Sequence, residues 1–327
     1  MTSFSILEIS AISFFASLIA TFIAVPFVIE NSRKAGMVGK DRNKKDQEIP
    51  EMGGIAIVFG LSIGLLSAIA FGFNLPIFNK ILLLATLATV LMIGFLGVID
   101  DLYVLKRKVK APIPFLAAIP LSSIRAGTRI WSIPFYGALN LGSFYQLVAI
   151  PLGIGGASNA FNMLAGLNGL EAGMGIVISL AIAIASYLNG SLEALVISLS
   201  LFASLIAFLW FNRYPSKIFP GDVGTYTIGV AIASAAIVGN LEFLGIVLFI
   251  PYFIEFILKL RTGFRGQCFG IMQKDGTLKA PPRIESLTHV IMRLKPMKEP
   301  QIVYVFVLLE SMLAVSVLLF LFSSRIF

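Results

Sequence analysis

Apolar runs of helix length, separated by short polar stretches, fill this chain from end to end. Roughly 20 apolar residues cross a bilayer. Ten segments follow that pattern, at 4–29, 53–72, 80–99, 111–126, 144–163, 171–188, 191–211, 223–239, 241–260 and 301–323. Pro112 and Pro114 open the fourth, which is therefore expected to begin late or to kink. The pattern predicts an all-α, polytopic integral membrane protein whose helices are selected by the bilayer. There is no internal repeat and no low-complexity tract, and residues 1–327 read as a single membrane-embedded domain.

Composition agrees. The chain is 57% hydrophobic and 13% charged, with mean hydropathy +0.93, whereas a soluble domain is nearer half apolar and a quarter charged. The net charge of +8 raises the question of a nucleic-acid partner. The positions of the cations exclude it: 21 of 25 Lys and Arg, Lys259 at the end of segment 9 among them, fall in or at the edge of the loops that follow odd-numbered segments. The positive-inside rule then makes five loops cytoplasmic and both termini external. These are loop A (30–53), loop B (100–110), loop C (162–171), loop D (212–223) and loop E (261–300). Segment 1 is too long for a signal-peptide core and lacks a basic leader, so it reads as a retained helix. A lone cysteine, Cys268, permits no internal disulfide.

Polar clusters interrupt the apolar text at helix ends, in loops B, C and D: Asp100-Asp101, Asn159 through Asn162, Asn168 through Glu171, and Gly221-Asp222. Carboxylates and carboxamides are costly near hydrocarbon, and oxygen donors from several segments suit a hard cation such as Mg²⁺. Asp100 and Asp101 repel each other and favour a cation partner, as metal ligands or as a base beside a metal; an acid pair marking the helix end is the plainer reading. Asn159 and Asn162 lie i, i+3 on one helix face, where a structural asparagine is the alternative. Asp222 reads as a metal ligand or as a helix N-cap. Lys110 could neutralise a phosphate or simply obey the charge rule. Phe219 could stack on a base or anchor at the interface. The only histidine is His289, with no His-Glu-x-x-His motif, no Cys/His cluster and no Walker A loop, so neither a zinc site nor a P-loop is expected.

Taken in order, these stretches resemble the polyprenyl-phosphate N-acetylhexosamine-1-phosphate transferases, most closely their archaeal and eukaryotic branch, which acts on UDP-GlcNAc and dolichyl phosphate. The resemblance rests on Gly39 through Lys44 with Ile49-Pro50-Glu51, on Gly94 through Asp101 and on to Lys110, and on Asn159 through Gly173. Trp210 through Ser216 and Phe219 through Asp222 complete it. It implies Mg²⁺, or Mn²⁺, held by Asn162 and Asp222, and uracil contacts from Asn168 and Phe219. It further implies Lys110 at phosphate, Asp100 and Asp101 in catalysis, and Glu51, Asn159 and Arg265 among the substrate contacts. Asp100 is expected to be the base and Asp101 the more structural of the two. The implied partners are UDP-GlcNAc, a polyprenyl or dolichyl phosphate and the membrane, with a homodimer left open. The implied product is a lipid-diphospho-sugar that starts glycan assembly, most readily N-glycan. Loop E departs from the family: eukaryotic members carry an Arg-His-Arg run and bacterial ones a His-rich run, where this chain reads Phe264-Arg265-Gly266-Gln267-Cys268, so only Arg265 carries over. The shortness of loop E favours an archaeal cell membrane over an endoplasmic reticulum. The rival reading is a secondary transporter, whose polar residues would sit near the midplane on repeated, broken helices.

Overall fold

A computed structural model describes residues 5–41, 47–72, 78–103, 105–133 and 137–323. Arg42, Asn43, Lys44 and Lys45, part of the loop A motif and its charge count, lie outside them. In chain order the elements are α1 (Ile6–Lys34), the hairpin β1 (Val38–Asp41) and β2 (Gln47–Pro50), α2 (Gly54–Phe71), α3 (Lys80–Tyr103) and the single turn α4 (Arg107–Lys110). A 3₁₀ stretch, Ile113–Ala118, leads into α5 (Ile119–Ser123), then the hairpin β3 (Ile130–Ile133) and β4 (Gly137–Asn140). A π turn, Tyr145–Ala149, runs into α6 (Ile150–Met163), followed by α7 (Leu170–Leu188), α8 (Leu192–Asn212) and α9 (Gly221–Val238). The chain ends with α10 (Glu242–Leu248), α11 (Ile250–Leu260), the small hairpin β5 (Ile271–Met272) and β6 (Leu278–Lys279), α12 (Leu287–Leu294) and α13 (Glu299–Ser323).

Seven helices, α1, α2, α3, α7, α8, α9 and α13, are each long and apolar enough to cross a membrane. The pair α10 and α11, bent by 54°, raises the number to eight. Among the described residues, the other two of the expected ten, at 111–126 and 144–163, are helical in part or throughout but are not single α-helices of that length. The fourth expected segment is no span-length helix, because Pro112, Pro114 and Pro120 each lack an N–H and crowd the preceding turn. The fifth is helical throughout but passes from π to α geometry at Ile150.

The first helix carries hydroxyls on its inner face and apolar side chains outside, the reverse of a soluble helix. On α1 the buried face carries Ser10, Ser13, Ser17 and Thr21, while Phe15, Ile19, Ile23 and Phe27 are exposed. The hydroxyls join α1 to α8: Ser13 and Ser200 share a hydrogen bond at 2.5 Å, Ser17 donates to the Ser200 carbonyl at 2.6 Å, and Thr21 meets Ser204 at 2.7 Å. Small residues at such seams let helix backbones approach closely where lipid gives no hydrophobic drive. Every residue of α9 from Val223 to Val238 is buried, so α9 is the axis around which the other helices pack.

The start of α9 is pinned by bare backbone. A methyl group on Gly97 of α3 would lie 2.3 Å from Val223 Cα, and one on Gly54 of α2 would lie 2.1 Å from the Gly224 nitrogen. Backbone cannot yield as a side chain can, so Gly97→Val is expected to cost at least the roughly 1–3 kcal/mol typical of overpacking. Thermal unfolding in detergent checks this, with Gly156→Ala as the control, since nothing lies within 4 Å of a methyl group there. Equal melting temperatures for the two variants would refute it.

Candidate active site

Five loops meet at one end of the bundle. Loops A and D zip together through backbone: the Phe219 amide donates to the Pro50 carbonyl at 2.8 Å, and the Gly53 and Gly54 amides donate to the carbonyls of Phe219 and Pro220 at 2.9 and 2.8 Å. This ladder sets Glu51 beside the first turn of α9, where Asp222 stands. Burial, and secondarily the Asp222 charge, push the Glu51 carboxyl above its ordinary range.

The centre of the cluster is Lys110. Its Nζ lies 2.9 Å from Asp100 Oδ2 and 2.9 Å from Asp222 Oδ2, bridging the end of α3 to the start of α9. Burial works against the ammonium charge, but Asp222 and Asp100 outweigh it and hold the lysine above its usual range. On its far side Asp222 accepts from Asn162 Nδ2 at 2.8 Å. Asp100, 2% exposed, also accepts from the Leu105 amide at 2.9 Å and from the Tyr226 hydroxyl at 3.0 Å. Sequence reasoning missed Tyr226. It sits one turn after Asp222, and that i, i+4 spacing was the available signal.

Asp101 points elsewhere. Its carboxylate accepts the Asp222 amide at 2.7 Å and the Val223 amide at 3.2 Å. It therefore caps α9 from a neighbouring helix, satisfying the open amides of a helix start. Asp222 itself does not make the cap. Gly221 turns the chain there with φ of +67°, and a methyl group on it would lie 2.5 Å from Asp101 Oδ2.

The remaining candidates are placed around this core. Asn159 donates to the Ala111 carbonyl at 3.1 Å and to the Gly155 carbonyl at 2.9 Å. Its amide fastens Ala111, just past loop B, to α6, while Asn162 three residues on reaches Asp222. Asn168 is buried: its backbone amide donates to Glu299 Oε1 at 2.6 Å and its side chain to Asp41 Oδ2 at 3.2 Å. Asn168 thus ties loop C to loop A and to the start of α13. Phe219 is half-buried in loop D, and Arg265 is exposed in loop E. An open cleft of about 450 Å³ is lined by Lys40, Glu51, Gln267 and Phe269, so loops A and E together form its wall.

Among the described residues, no group of three or more His, Cys, Asp and Glu side chains is placed to hold a metal ion. Asp222 and Asn162 offer two side-chain oxygen donors instead. That set fits Mg²⁺, which is ordinarily held by one or two protein oxygens together with water and substrate phosphate.

A membrane bundle whose carboxylates, carboxamides and one bridging ammonium gather at helix ends defines an integral membrane protein with a polar site at one end. The chain belongs to glycosyl transferase family 4, whose model matches residues 83–240, from α3 to just beyond α9. It is 42% identical over 93% of its length to a protein of Saccharolobus solfataricus, covering 93% of that protein, and 38% identical over 94% of its length to one of Sulfolobus acidocaldarius, covering 95%. Both are provisionally named UDP-N-acetylglucosamine–dolichyl-phosphate N-acetylglucosaminephosphotransferase. A Dictyostelium discoideum protein of that name is 29% identical over 80% of this chain and 72% of its own.

Proposed function

We propose that this protein transfers N-acetylglucosamine 1-phosphate from UDP-GlcNAc to a polyprenyl phosphate of the dolichyl type. A phosphate oxygen of the lipid bonds to the β-phosphorus, the bond from that phosphorus to the bridging oxygen breaks, and UMP leaves. The product is a lipid-diphospho-sugar that starts glycan assembly. The observation that carries this reading is the Lys110 ammonium shared by Asp100 and Asp222, with Asn162 alongside, at the interfacial end of the bundle. The names of the relatives support the substrates.

A phosphate monoester has a second pKa near 6 and is mostly dianionic at neutral pH, so the lipid phosphate needs little help in losing a proton. Asp100, the expected base, accepts three donors and so also anchors Lys110. Lys110 would hold phosphate oxygen, and Asp101 would hold α9, and with it Asp222, in place. Asp222 and Asn162 would hold Mg²⁺, with Mn²⁺ as an alternative, and that ion, when bound, supplies neutralisation of the diphosphate charge. Asn168 and Phe219 are assigned to the uracil, and Glu51 and Arg265 to the sugar-diphosphate side. UMP release from UDP-GlcNAc is expected only when Mg²⁺ and a polyprenyl phosphate are both present. Release with Mg²⁺ alone would sink the transferase reading. A transporter, the rival class, would instead move substrate without releasing UMP.

The site end is assigned to the cytoplasm on the distribution of Lys and Arg. Exposed single cysteines in place of Lys108 and Lys274, on a Cys268→Ala background, are expected to resist an impermeant maleimide in intact cells. Asn140→Cys, in the β3–β4 hairpin, is expected to react. The opposite pattern would invert the topology.

A further inference from the structure

The inner stripe of α11 is polar where the helix should be cheapest to keep apolar. Tyr252, Glu255 and Lys259 are buried, while Phe253, Ile254, Ile257 and Leu260 are exposed on the other side. Side-chain exposure is 0% for Glu255 and 6% for Lys259, and they pair at 3.3 Å. Such a pair returns little net stability against its desolvation cost, whereas removing one partner leaves a buried charge alone.

Each charge is spent on loop E. Lys259 Nζ donates to the Gly266 carbonyl at 2.9 Å and to Cys268 Sγ at 3.3 Å. Glu255 Oε2 accepts from the Ser286 hydroxyl at 3.0 Å and the Leu287 amide at 2.6 Å. Cys268 in turn donates to the Met163 carbonyl at 3.3 Å, one residue beyond Asn162. Gln267 and Phe269, on either side of Cys268, line the cleft. The Phe269 ring lies over Gly166, which has φ of +115° and would bring a methyl group within 3.0 Å of it.

We infer that Glu255 and Lys259 are positioning residues, a buried rivet that holds the Gln267–Phe269 wall of the cleft against the Asn162 end of α6. The inference rests on the transferase reading for its kinetic consequence and on geometry alone for the rivet. Neither charge reaches the Lys110 cluster in the structure, so the rivet acts on how substrate is held and not on the transfer step.

Cys268 is the only cysteine, is 4% exposed, and burial and the nearby Glu255 charge push its thiol up to about 11. Its reaction with a maleimide therefore reports release of loop E without any engineered probe. Wild-type protein is expected to label slowly. Lys259→Met and Glu255→Gln are expected to label at least about tenfold faster, as local opening becomes easier. They should raise the KM for UDP-GlcNAc about tenfold while kcat stays within about threefold. Lys259→Arg should recover part of both changes. The double variant Glu255→Gln/Lys259→Met, which leaves no lone charge, should label more slowly than either single. Should the single variants fail to fold, Thr288→Val replaces them, since Thr288 Oγ1 donates to the Cys268 carbonyl at 2.7 Å. Labelling as slow as wild type in the tested variants would overturn the rivet. Faster labelling with an unchanged KM would overturn the positioning role. Labelling needs no substrate, so failure of the transferase reading shows separately, as absent turnover in wild type with the labelling response intact.

Discussion

Asp222→Ala is expected to reduce turnover by roughly 10³-fold or more while leaving the protein folded. The activity loss follows from what the carboxylate holds. One oxygen takes the Lys110 ammonium and the other takes Asn162, so its removal disperses the groups assigned to phosphate and to metal. A metal ion and fixed charges acting on a transferring phosphoryl group supply several kcal/mol, and each 1.36 kcal/mol is a factor of ten in rate. The stability expectation follows from who makes the cap. Had Asp222 capped its own helix, its loss would cost about 1 kcal/mol. The amides at the start of α9 go instead to Asp101. Asp101→Ala is therefore the variant that should lower the melting temperature. Measuring kcat at saturating Mg²⁺ alongside thermal unfolding separates the two roles. Turnover of Asp222→Ala within tenfold of wild type would remove Asp222 from the proposed centre, and a larger melting shift for Asp222→Ala than for Asp101→Ala would return the cap to it.

The site was legible in the sequence as a set of helix ends, and less so as a set of contacts. Acids and amides in an apolar chain stand out because hydrocarbon penalises them, so Asp100, Asp101, Asn162 and Asp222 could be found without a structure. Their division of labour could not. Adjacent residues on a helix point about 100° apart, and only the packing of α3 against α9 shows that Asp100 turns to Lys110 and Asp101 to the α9 amides. Asn159, expected among the substrate contacts, has the Ala111 carbonyl just past loop B as a partner, and no pattern of side chains encodes a carbonyl. Tyr226 read as one more apolar helix position. Lys259 was counted among the topology-setting cations, although an i, i+4 Glu–Lys pair inside an apolar segment was visible. The kink expected at Pro112 and Pro114 is there, and Pro120 adds a second break that hydropathy alone does not register, because it sums residues and takes no account of a missing N–H.

Lys110→Met is expected to lower kcat by about 10²–10³-fold, the scale seen when one preorganised donor to a developing charge is lost, and to destabilise the protein as well. The ammonium is the shared counter-charge of Asp100 and Asp222. Without it the two carboxylates face each other in surroundings where Asp100 is 2% exposed. Breaking a fully buried pair costs about 3–5 kcal/mol; Lys110 keeps 27% side-chain exposure, so about 2 kcal/mol is the fitting figure here. Lys110→Arg separates charge from shape. A guanidinium restores the charge but presents a planar fork where the structure has one nitrogen equidistant from two oxygens, so stability should largely return while kcat stays depressed. The pH dependence has a definite sign. The folded-state value of Lys110 is raised, so its contribution is fully present below the unfolded value of about 10.4 and is lost as pH rises through the folded value. The stability difference between wild type and Lys110→Met should then be flat from about pH 7 to 10 and close above that. The measurements are kcat at saturating UDP-GlcNAc and thermal unfolding in detergent across that range. A Lys110→Met variant with kcat within threefold of wild type would take phosphate handling away from this lysine, and a stability difference that widened above pH 10 would contradict its role as the counter-charge.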